Sequence, residues 1–258
     1  VRMEAERVPD RSASQLKVLI AHLRLVLIDT FRDPAALIGN IIIPTVCFVF
    51  FVLPNRDVVN SEVASTEAVL QLTSMLGFST CLFGYSASVA QDRESGFGVY
   101  LRTLPVGIAP RFIAIAVGAI SVTIVGLVFL WIMALFFTAA SLTASLFAGF
   151  LGLAVTMITW SLFGASLGQI FSVKTVITVA QLLFLVLAFG GGMLVDPRYM
   201  PDSLNAISRY LPSRASRDIV IELGAGEDLQ VWTIVSAAFW LLCFGITMLF
   251  TVRLAKRR

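Results

Sequence analysis

One short segment of the chain brings acidic, glycine, basic and proline residues together in a regular order. Residues 91–105 read Gln-Asp-Arg-Glu-Ser-Gly-Phe-Gly-Val-Tyr-Leu-Arg-Thr-Leu-Pro. Asp92 and Glu94 favour the positive end of a helix, and Arg102, just before the proline, favours the negative end. The pattern predicts a short helix lying across the membrane surface, with acidic residues first, apolar residues through its middle and a proline stop.

Residues with catalytic or metal-binding potential are sparse. The sequence has no glycine-rich phosphate loop ending in Gly-Lys-Ser or Gly-Lys-Thr, which argues against nucleotide hydrolysis through that architecture. A single histidine, His22, cannot form a two-histidine metalloprotease motif. Cys47, Cys81 and Cys243 lie in apolar runs without the spacing of a metal site or a disulfide framework. We therefore predict no catalytic residue, no metal site and no cofactor bound by this chain.

The elements that must position residues 91–105 are membrane helices. The chain has 258 residues, of which 58% are hydrophobic and only 14% are charged, against about 25% charged in soluble domains. No charged side chain occurs between Arg111 and Lys174. Crossing about 30 Å of hydrocarbon takes about 20 helical residues, and a charge at its centre costs about 2.5–3.5 kcal/mol. The sequence predicts an all-α membrane protein.

Six transmembrane helices are expected, the first of them started by Asp33 and Pro34, which suit a helix N-cap and its first turn. Their approximate bounds are residues 35–53, 68–90, 111–137, 144–171, 175–195 and 230–252. The interiors of these spans contain no ionisable side chain, which argues against a proton-coupled pump or a charge-lined channel. Residues 1–33 would form a cytoplasmic N-terminal segment, and residues 34–258 the six-span domain.

Basic residues near the ends of spans indicate the orientation of the chain. With six spans, most of them fall on one side, namely Arg2, Arg7, Arg11, Lys17, Arg24, Arg32, Arg93, Arg102, Arg111, Lys174, Arg253, Lys256, Arg257 and Arg258. We therefore expect a multi-pass protein of the inner (plasma) membrane with both termini in the cytoplasm.

An amphipathic helix is predicted ahead of the first span. Between residues 16 and 31 apolar side chains such as Leu16 and Leu23 recur at intervals of three and four, while Lys17 and Arg24 lie off that stripe. Such a helix should lie in the membrane interface with its cations near anionic headgroups. It would act as a positioning anchor or as a surface that also touches a cytoplasmic partner.

The segment before the last span is neither a span nor a simple loop. It follows three consecutive glycines at residues 190–192 and contains two short amphipathic pieces broken at Leu211-Pro212. We expect these pieces to form short re-entrant helices in the outer leaflet, because backbone at that depth must be hydrogen-bonded internally. In the fourth span, the small residues of Gly164-Ala-Ser-Leu-Gly168 fit a close helix approach; a place on a substrate path is the alternative.

Two regions resemble the transmembrane subunits of type-2 ABC exporters, most of all the small permeases of drug or lipid exporters of the daunorubicin-resistance type. That family has Glu-x-Gly after the second span, a leucine five positions on and a proline four later. Glu94, Gly96, Leu101 and Pro105 match this spacing. The glycine-rich end of span 5 and the prolines and basic residue that follow correspond to Gly191, Pro201, Pro212 and Arg217.

The resemblance implies a permease subunit that exports a hydrophobic or amphipathic, drug-like or lipid-like substrate. A separate ABC ATPase dimer, holding the ATP and Mg, would dock on the interfacial helix and on the 91–105 helix. A second permease copy or a related permease would complete the pathway in the lipid bilayer, and no nucleic acid partner is expected. The residues expected to make these ATPase contacts are Leu16, Lys17, Leu23, Arg24, Asp92, Arg93, Glu94, Gly96, Leu101, Arg102 and Pro105.

Two other classes of function remain as alternatives. A membrane-embedded enzyme would need an in-membrane acid, base or metal set, and the spans offer no convincing one. A non-transporting interaction subunit would bind a partner without supporting substrate flux.

Overall fold

A computed structural model of the protein describes residues 11–32, 42–96 and 109–255. Within these ranges the regular structure is helical, with no strand. The helices are α1 Arg11–Arg32, α2 Ile42–Val52, α3 Arg56–Val59, α4 Glu62–Glu94, α5 Ala109–Phe137, α6 Leu146–Ile170, α7 Val173–Gly190, α8 Asp202–Ser208, α9 Pro212–Ala225 and α10 Val231–Ala255.

Five of the described helices, α4, α5, α6, α7 and α10, are long and apolar enough to cross a membrane. The prediction of an all-α membrane protein is therefore confirmed. The apolar helix α2 is described from Ile42 to Val52, and residues 35–41 of the predicted first span lie outside the described residues. The count of six spans stays a prediction.

Helix α4 is longer than the predicted second span at both ends. It starts at Glu62, where the hydroxyl of Ser61 accepts a hydrogen bond from the backbone N–H of Ala64 at 3.3 Å, and ends at Glu94. Its 33 residues correspond to about 50 Å of helix, against about 30 Å of hydrocarbon. The apolar run predicted the membrane-compatible part of this helix and missed the polar turns at its ends.

The long helices define two ends of the bundle. At the Glu94 end, α4 and α6 finish and α5 and α7 begin; at the opposite end, called the Arg217 end, α4 and α6 begin and α8 and α9 are inserted. Helix α7 stops at Gly190, five residues before the predicted Val195, because the chain turns through Gly191 and Gly192. Gly192 has a φ of 77°, a left-handed conformation that favours glycine.

The core forms where α4, α6 and α9 pack together. Phe78 of α4 and Trp160 of α6 are buried, with ring centroids 4.3 Å apart. The Trp160 indole donates a hydrogen bond to the Ser216 hydroxyl of α9 at 2.9 Å. A Cβ placed on Gly149 of α6 would lie 2.8 Å from the Cα of Gly224 in α9, so these two helices are in backbone contact.

The two short helices predicted before the last span are confirmed as α8 and α9. Pro201 caps the start of α8, and Pro212 occupies the first turn of α9, where its missing N–H costs no helical hydrogen bond. Trp232 and Trp240 of α10 donate indole hydrogen bonds to the carbonyl oxygens of Arg209 and Tyr210, at 3.1 and 2.9 Å. The end of α8 is thereby fixed against α10.

Helix α1 confirms the predicted N-terminal helix and packs along the first half of α5. Leu23 and Val26 lie on its half-buried side, while Arg24 is exposed. A Cβ on Gly118 of α5 would lie 2.8 Å from the Val26 side chain, so glycine permits this close approach. The side chains of Leu16 and Lys17, also on α1, lie outside the described part of the structure.

Candidate coupling site at the Glu94 end

The residues predicted to contact an ATPase fall at the Glu94 end. Asp92, Arg93 and Glu94 form the last turn of α4, and Gly96 follows with open space around its Cα. The remaining three predicted contact residues in this segment, Leu101, Arg102 and Pro105, lie outside the described residues.

Asp92 and Glu94 lie in the last turn of α4, whereas Gly96, after the extended Ser95, is helical again; the predicted surface helix over residues 91–105 stays a prediction beyond Gly96. Carboxylates are disfavoured by the negative end of a helix, but two arginines compensate here. Arg93 lies between them in the same turn, and Arg111 reaches Asp92 from the start of α5. The contact role assigned to these residues stays a prediction.

Arg111 and Asp92 form an ion pair that joins α5 to α4. The Nη2 and Nε atoms of Arg111 donate to Oδ1 of Asp92 at 2.6 and 2.9 Å. Both side chains are only about one-fifth exposed, at 18% and 20%. Charge-assisted hydrogen bonds of this length are among the stronger ones in proteins. The pair therefore holds the end of α4 against the start of α5, the two points between which the connecting segment runs.

Arg93 connects the same turn of α4 to the junction of α6 and α7. Its Nη2 atom donates to the carbonyl oxygen of Phe171 at 2.8 Å, and Nη1 donates to the carbonyl oxygen of Gln169. Carbonyls at the end of a helix lack partners within the helix and carry its partial negative charge. The guanidinium therefore caps the C-terminal end of α6, although the sequence predicted an outward-facing contact residue.

Glu94 remains the most accessible of the three side chains in this turn. Its side chain is 43% exposed, and among the residues that the structure describes its one ion-pair partner is Arg93, at 3.4 Å. After it, Ser95 adopts an extended backbone and its hydroxyl donates to the Asp92 carbonyl at 2.9 Å, which ends the helix. Glu94 therefore lies on the outside of a turn that is held from two sides.

Helix α1 comes close to the Arg111–Asp92 pair. Partial burial lowers the pKa of His22 on α1, and the charge of Arg111 lowers it further, while Asp92 opposes both. The two regions predicted to contact an ATPase, α1 and the end of α4, thus meet on the same part of α5.

Small residues bring α4 and α6 into backbone contact just inside this site. A Cβ on Gly164 would lie 2.5 Å from the Cys81 carbonyl oxygen, and one on Gly168 would lie 2.5 Å from that of Ser86. The close helix approach predicted from this motif is confirmed. Thr80–Tyr85 of α4 form a π-helical turn at this contact, a feature that is frequent at functional sites.

A second polar cluster ties the Arg217 end together. Arg217, with a side chain 9% exposed, donates to Oε1 of Gln71 at 3.0 and 3.2 Å and pairs with Asp218 at 2.8 Å. Gln71 in turn donates to the carbonyl oxygen of Met193 at 3.1 Å, just beyond the buried Gly191. The sequence singled out Arg217 and Gly191 but gave no signal for the role of Gln71.

Charged groups around Arg217 extend this cluster to the start of α4. Arg198 pairs with Glu67 of α4 at 2.6 Å and with Asp196 at 2.8 Å. Burial alone would raise the pKa of Asp196, but hydrogen bonds from Arg198 and the charge of Arg217 outweigh it, and the pKa is lowered. Asp196 therefore stays ionised beside its arginines.

Glu222 fixes the start of α10. Its carboxylate is buried and accepts hydrogen bonds from the Gln230 backbone N–H at 3.0 Å and the Thr233 hydroxyl at 3.1 Å. Burial raises the pKa of Glu222, although these hydrogen bonds act in the opposite direction. Among the described residues, no group of three or more His, Cys, Asp or Glu side chains is arranged to hold a metal ion.

Comparison with known proteins agrees with this arrangement. Residues 53–253 match the sequence profile of the ABC-2 family transporter proteins. The chain is also 26% identical over 212 residues to the Bacillus subtilis (strain 168) protein named "Putative transport permease YvfS", with 76% of this chain and 80% of that protein covered. Because the profile covers most of the chain, this protein belongs to the ABC-2 transporter family and is a multi-pass transport permease subunit.

Proposed function

We propose that this chain is the transmembrane subunit of an ATP-driven exporter that moves a hydrophobic or amphipathic, drug-like or lipid-like substrate out across the cytoplasmic membrane. The family implies an ABC ATPase partner in general. In this proposal a separate ATPase dimer binds the ATP and Mg, and two permease chains, identical or related, form the pathway.

The observation that supports the proposal best is the double attachment of the last turn of α4. Asp92 is paired with Arg111 of α5, and Arg93 is bonded to the end of α6. A force applied to Glu94 or to the residues that follow would move these helix ends together, because the charged bonds leave the turn little freedom of its own. Closure of an ATPase dimer on this turn and on α1 would then change how the two permease chains meet.

The proposal also sets the orientation and the domain roles. The Glu94 end faces the cytoplasm, both termini lie there, and residues 1–33 provide a cytoplasmic segment ahead of the membrane domain of residues 34–258. The chain is not itself an enzyme in this account. Turnover of a lipid or peptide by the purified chain alone would instead favour the membrane-embedded enzyme.

The test uses the permease purified together with its ATPase subunit and reconstituted in vesicles. Glu94→Ala and Gly96→Pro should lower both transport-stimulated ATP hydrolysis and substrate export, while the permease stays folded. Asp57→Ala, an exposed acidic residue of α3 at the opposite end, is the matched control and should change neither rate. Unchanged activity in both Glu94 and Gly96 variants would contradict the proposal, as would labelling of a cysteine at position 94 from outside intact cells.

A further inference from the structure

A crevice of about 270 Å³ lies between α1, α4 and α5, next to the Arg111–Asp92 pair. Its wall on α4 runs from Ser95 back to Thr80, which is about 22 Å along the helix axis. Its wall on α5 runs from Arg111 to Val122. The crevice is therefore long and narrow, and it extends from the Glu94 end toward the middle of the bundle.

The walls of the crevice differ in character. The α5 wall beyond Arg111 is apolar and includes Ile115, Ala119 and Val122, whereas the α1 wall carries Asp29 and Thr30. A molecule that matches both walls must be amphipathic, with its polar group toward α1 and its apolar body toward α5.

The charged groups of the crevice leave one carboxylate uncompensated. Its charged lining residues are Asp29, Asp92 and Arg111, two negative charges against one positive. Asp92 and Arg111 pair with each other at 2.6 Å. Asp29 of α1 takes part in none of the ion pairs found among the described residues. The crevice therefore has a net charge of −1, carried by Asp29.

Asp29 lies deeper in the bundle than Arg111, the charged residue near the start of α5. The next residue, Thr30, places its hydroxyl oxygen 3.1 Å from the Cβ position of Gly118, seven residues after Arg111. Seven helical residues correspond to about 10 Å. The Asp29 side chain is exposed at this level, so a cationic group that enters between α1 and α5 can reach its carboxylate while the rest of the molecule lies against the apolar residues of α5.

We infer that the crevice binds an amphipathic organic cation, with its positive group on Asp29 and its apolar body against Ile115, Ala119 and Val122. A free metal ion fits less well, because only one carboxylate is unpaired and the facing α5 wall is apolar. An anionic molecule would meet the net negative charge. That this cation is also the exported substrate rests on the proposed function; its binding to the chain does not.

Binding is measured by fluorescence anisotropy of rhodamine 6G, a lipophilic cation, on the purified full chain in phosphatidylcholine nanodiscs without nucleotide or ATPase. Asp29→Asn keeps the side-chain size and should raise Kd by about tenfold or more. The matched control, Asp57→Asn at an exposed site of α3, should leave Kd within about twofold. Gly84 lines the crevice and has no neighbour closer than 4.0 Å to its Cβ position, so Gly84→Leu should also weaken binding by filling the space.

Binding of Nile red, a neutral amphiphile, distinguishes the contribution of the Asp29 charge from that of the space beside Gly84. Gly84→Leu should weaken its binding, and Asp29→Asn should not. Equal rhodamine affinity in wild type and Asp29→Asn would overturn the inference. Loss of rhodamine binding when the nanodisc lipid is changed from phosphatidylcholine to phosphatidylethanolamine would also overturn it, because it would assign the crevice to membrane lipid. Asp29-dependent binding without ATP-driven transport in the reconstituted complex would refute the exporter proposal alone.

Discussion

Arg217 of α9 and Gln71 of α4 are held together by two hydrogen bonds, from Nε and Nη2 of the arginine to the amide oxygen of the glutamine, at 3.2 and 3.0 Å. They are 146 residues apart in the chain. Through this contact the inserted helix α9 is attached to the beginning of a helix that ends at Glu94. The Arg217 cluster thus fixes α9 to α4, the same helix whose last turn carries Glu94.

Replacing Arg217 with methionine should strongly destabilise the protein. The guanidinium is buried, and its loss leaves Asp196 and Asp218 with Arg198 and Arg214 alone and the Gln71 amide oxygen without its donor, for which we expect a cost of about 1–3 kcal/mol. The measurement is the free energy of unfolding in detergent. Arg209→Met, on an exposed residue of the same region, should change it by less than about 0.5 kcal/mol. Similar values for the two variants would contradict the structural role of Arg217.

Glu222 should make stability depend on pH. Its folded-state pKa is raised above the ordinary value of 4.5, so the folded protein prefers the protonated carboxyl more than the unfolded chain does. The stability from this preference is fully present below about pH 4.5 and is lost as pH rises through the folded-state pKa. Glu222→Gln should flatten this dependence.

The measurement for Glu222 is the unfolding free energy of wild type and Glu222→Gln at several pH values from 4 upward. Because the amide cannot accept both hydrogen bonds as the carboxylate does, the variant should also lose about 1 kcal/mol above the folded-state pKa, where the wild-type group is ionised. Asp57→Asn, on an exposed side chain of α3, serves as the control. Parallel pH curves for wild type and Glu222→Gln would disprove the assignment.

A single methyl group should be enough to disturb the contact between α4 and α6. In Gly168→Ala the new Cβ would lie 2.5 Å from the Ser86 carbonyl oxygen, so backbone must shift, and we expect a loss of about 1–3 kcal/mol. Gly245→Ala is the matched control, because its nearest neighbour, in the Leu162 side chain, is 4.0 Å away. There the better helix propensity of alanine should stabilise the protein by up to about 1 kcal/mol. Equal effects of the two substitutions would show that the contact is looser than described.

Hydrophobic runs predicted the membrane helices well, since burial in lipid acts on each span by itself. Helix α5 ends at Phe137, the last residue of the predicted span 111–137, and the break at Pro212 followed from proline chemistry. The ends of α4 were missed because a run of apolar residues reports where lipid begins, whereas a helix continues until its hydrogen bonds are interrupted. Polar residues at both ends of α4 continue it outside the apolar region.

The long-range polar contacts could not be read from the sequence. The residues next to Gln71 in the sequence do not indicate that Arg217 contacts it, so its role in the Arg217 cluster could not be predicted. Arg93 was predicted to face a partner, yet its acceptors are backbone carbonyls, and these carry no side-chain signal at Gln169 or Phe171. The spacing of Glu94 and Gly96 indicated the family, while the arginines that hold the turn became apparent only from the packing of α4 against α5 and α6.

Arg93 should be required for coupling rather than for assembly. Arg93→Ala removes the cap on α6 and frees the last turn of α4 from the α6–α7 junction, so a displacement of Glu94 would no longer move that junction. We expect ATP-driven transport by the reconstituted complex to fall several-fold, while co-purification of the ATPase changes little because Glu94 keeps its exposure. Lys174→Ala, on the exposed side of the same junction, should leave transport unchanged.

Arg93→Lys provides the sharper comparison. Lysine keeps the charge but presents one ammonium in place of the guanidinium fork that contacts two carbonyls. If the two-carbonyl cap transmits the motion, Arg93→Lys should lose nearly as much transport as Arg93→Ala and regain most of the thermal stability, since one charge-assisted bond to the end of α6 survives. Full transport in the lysine variant would show that the charge alone is sufficient, and that the attachment of α4 to α6 is not the route by which the two ends communicate.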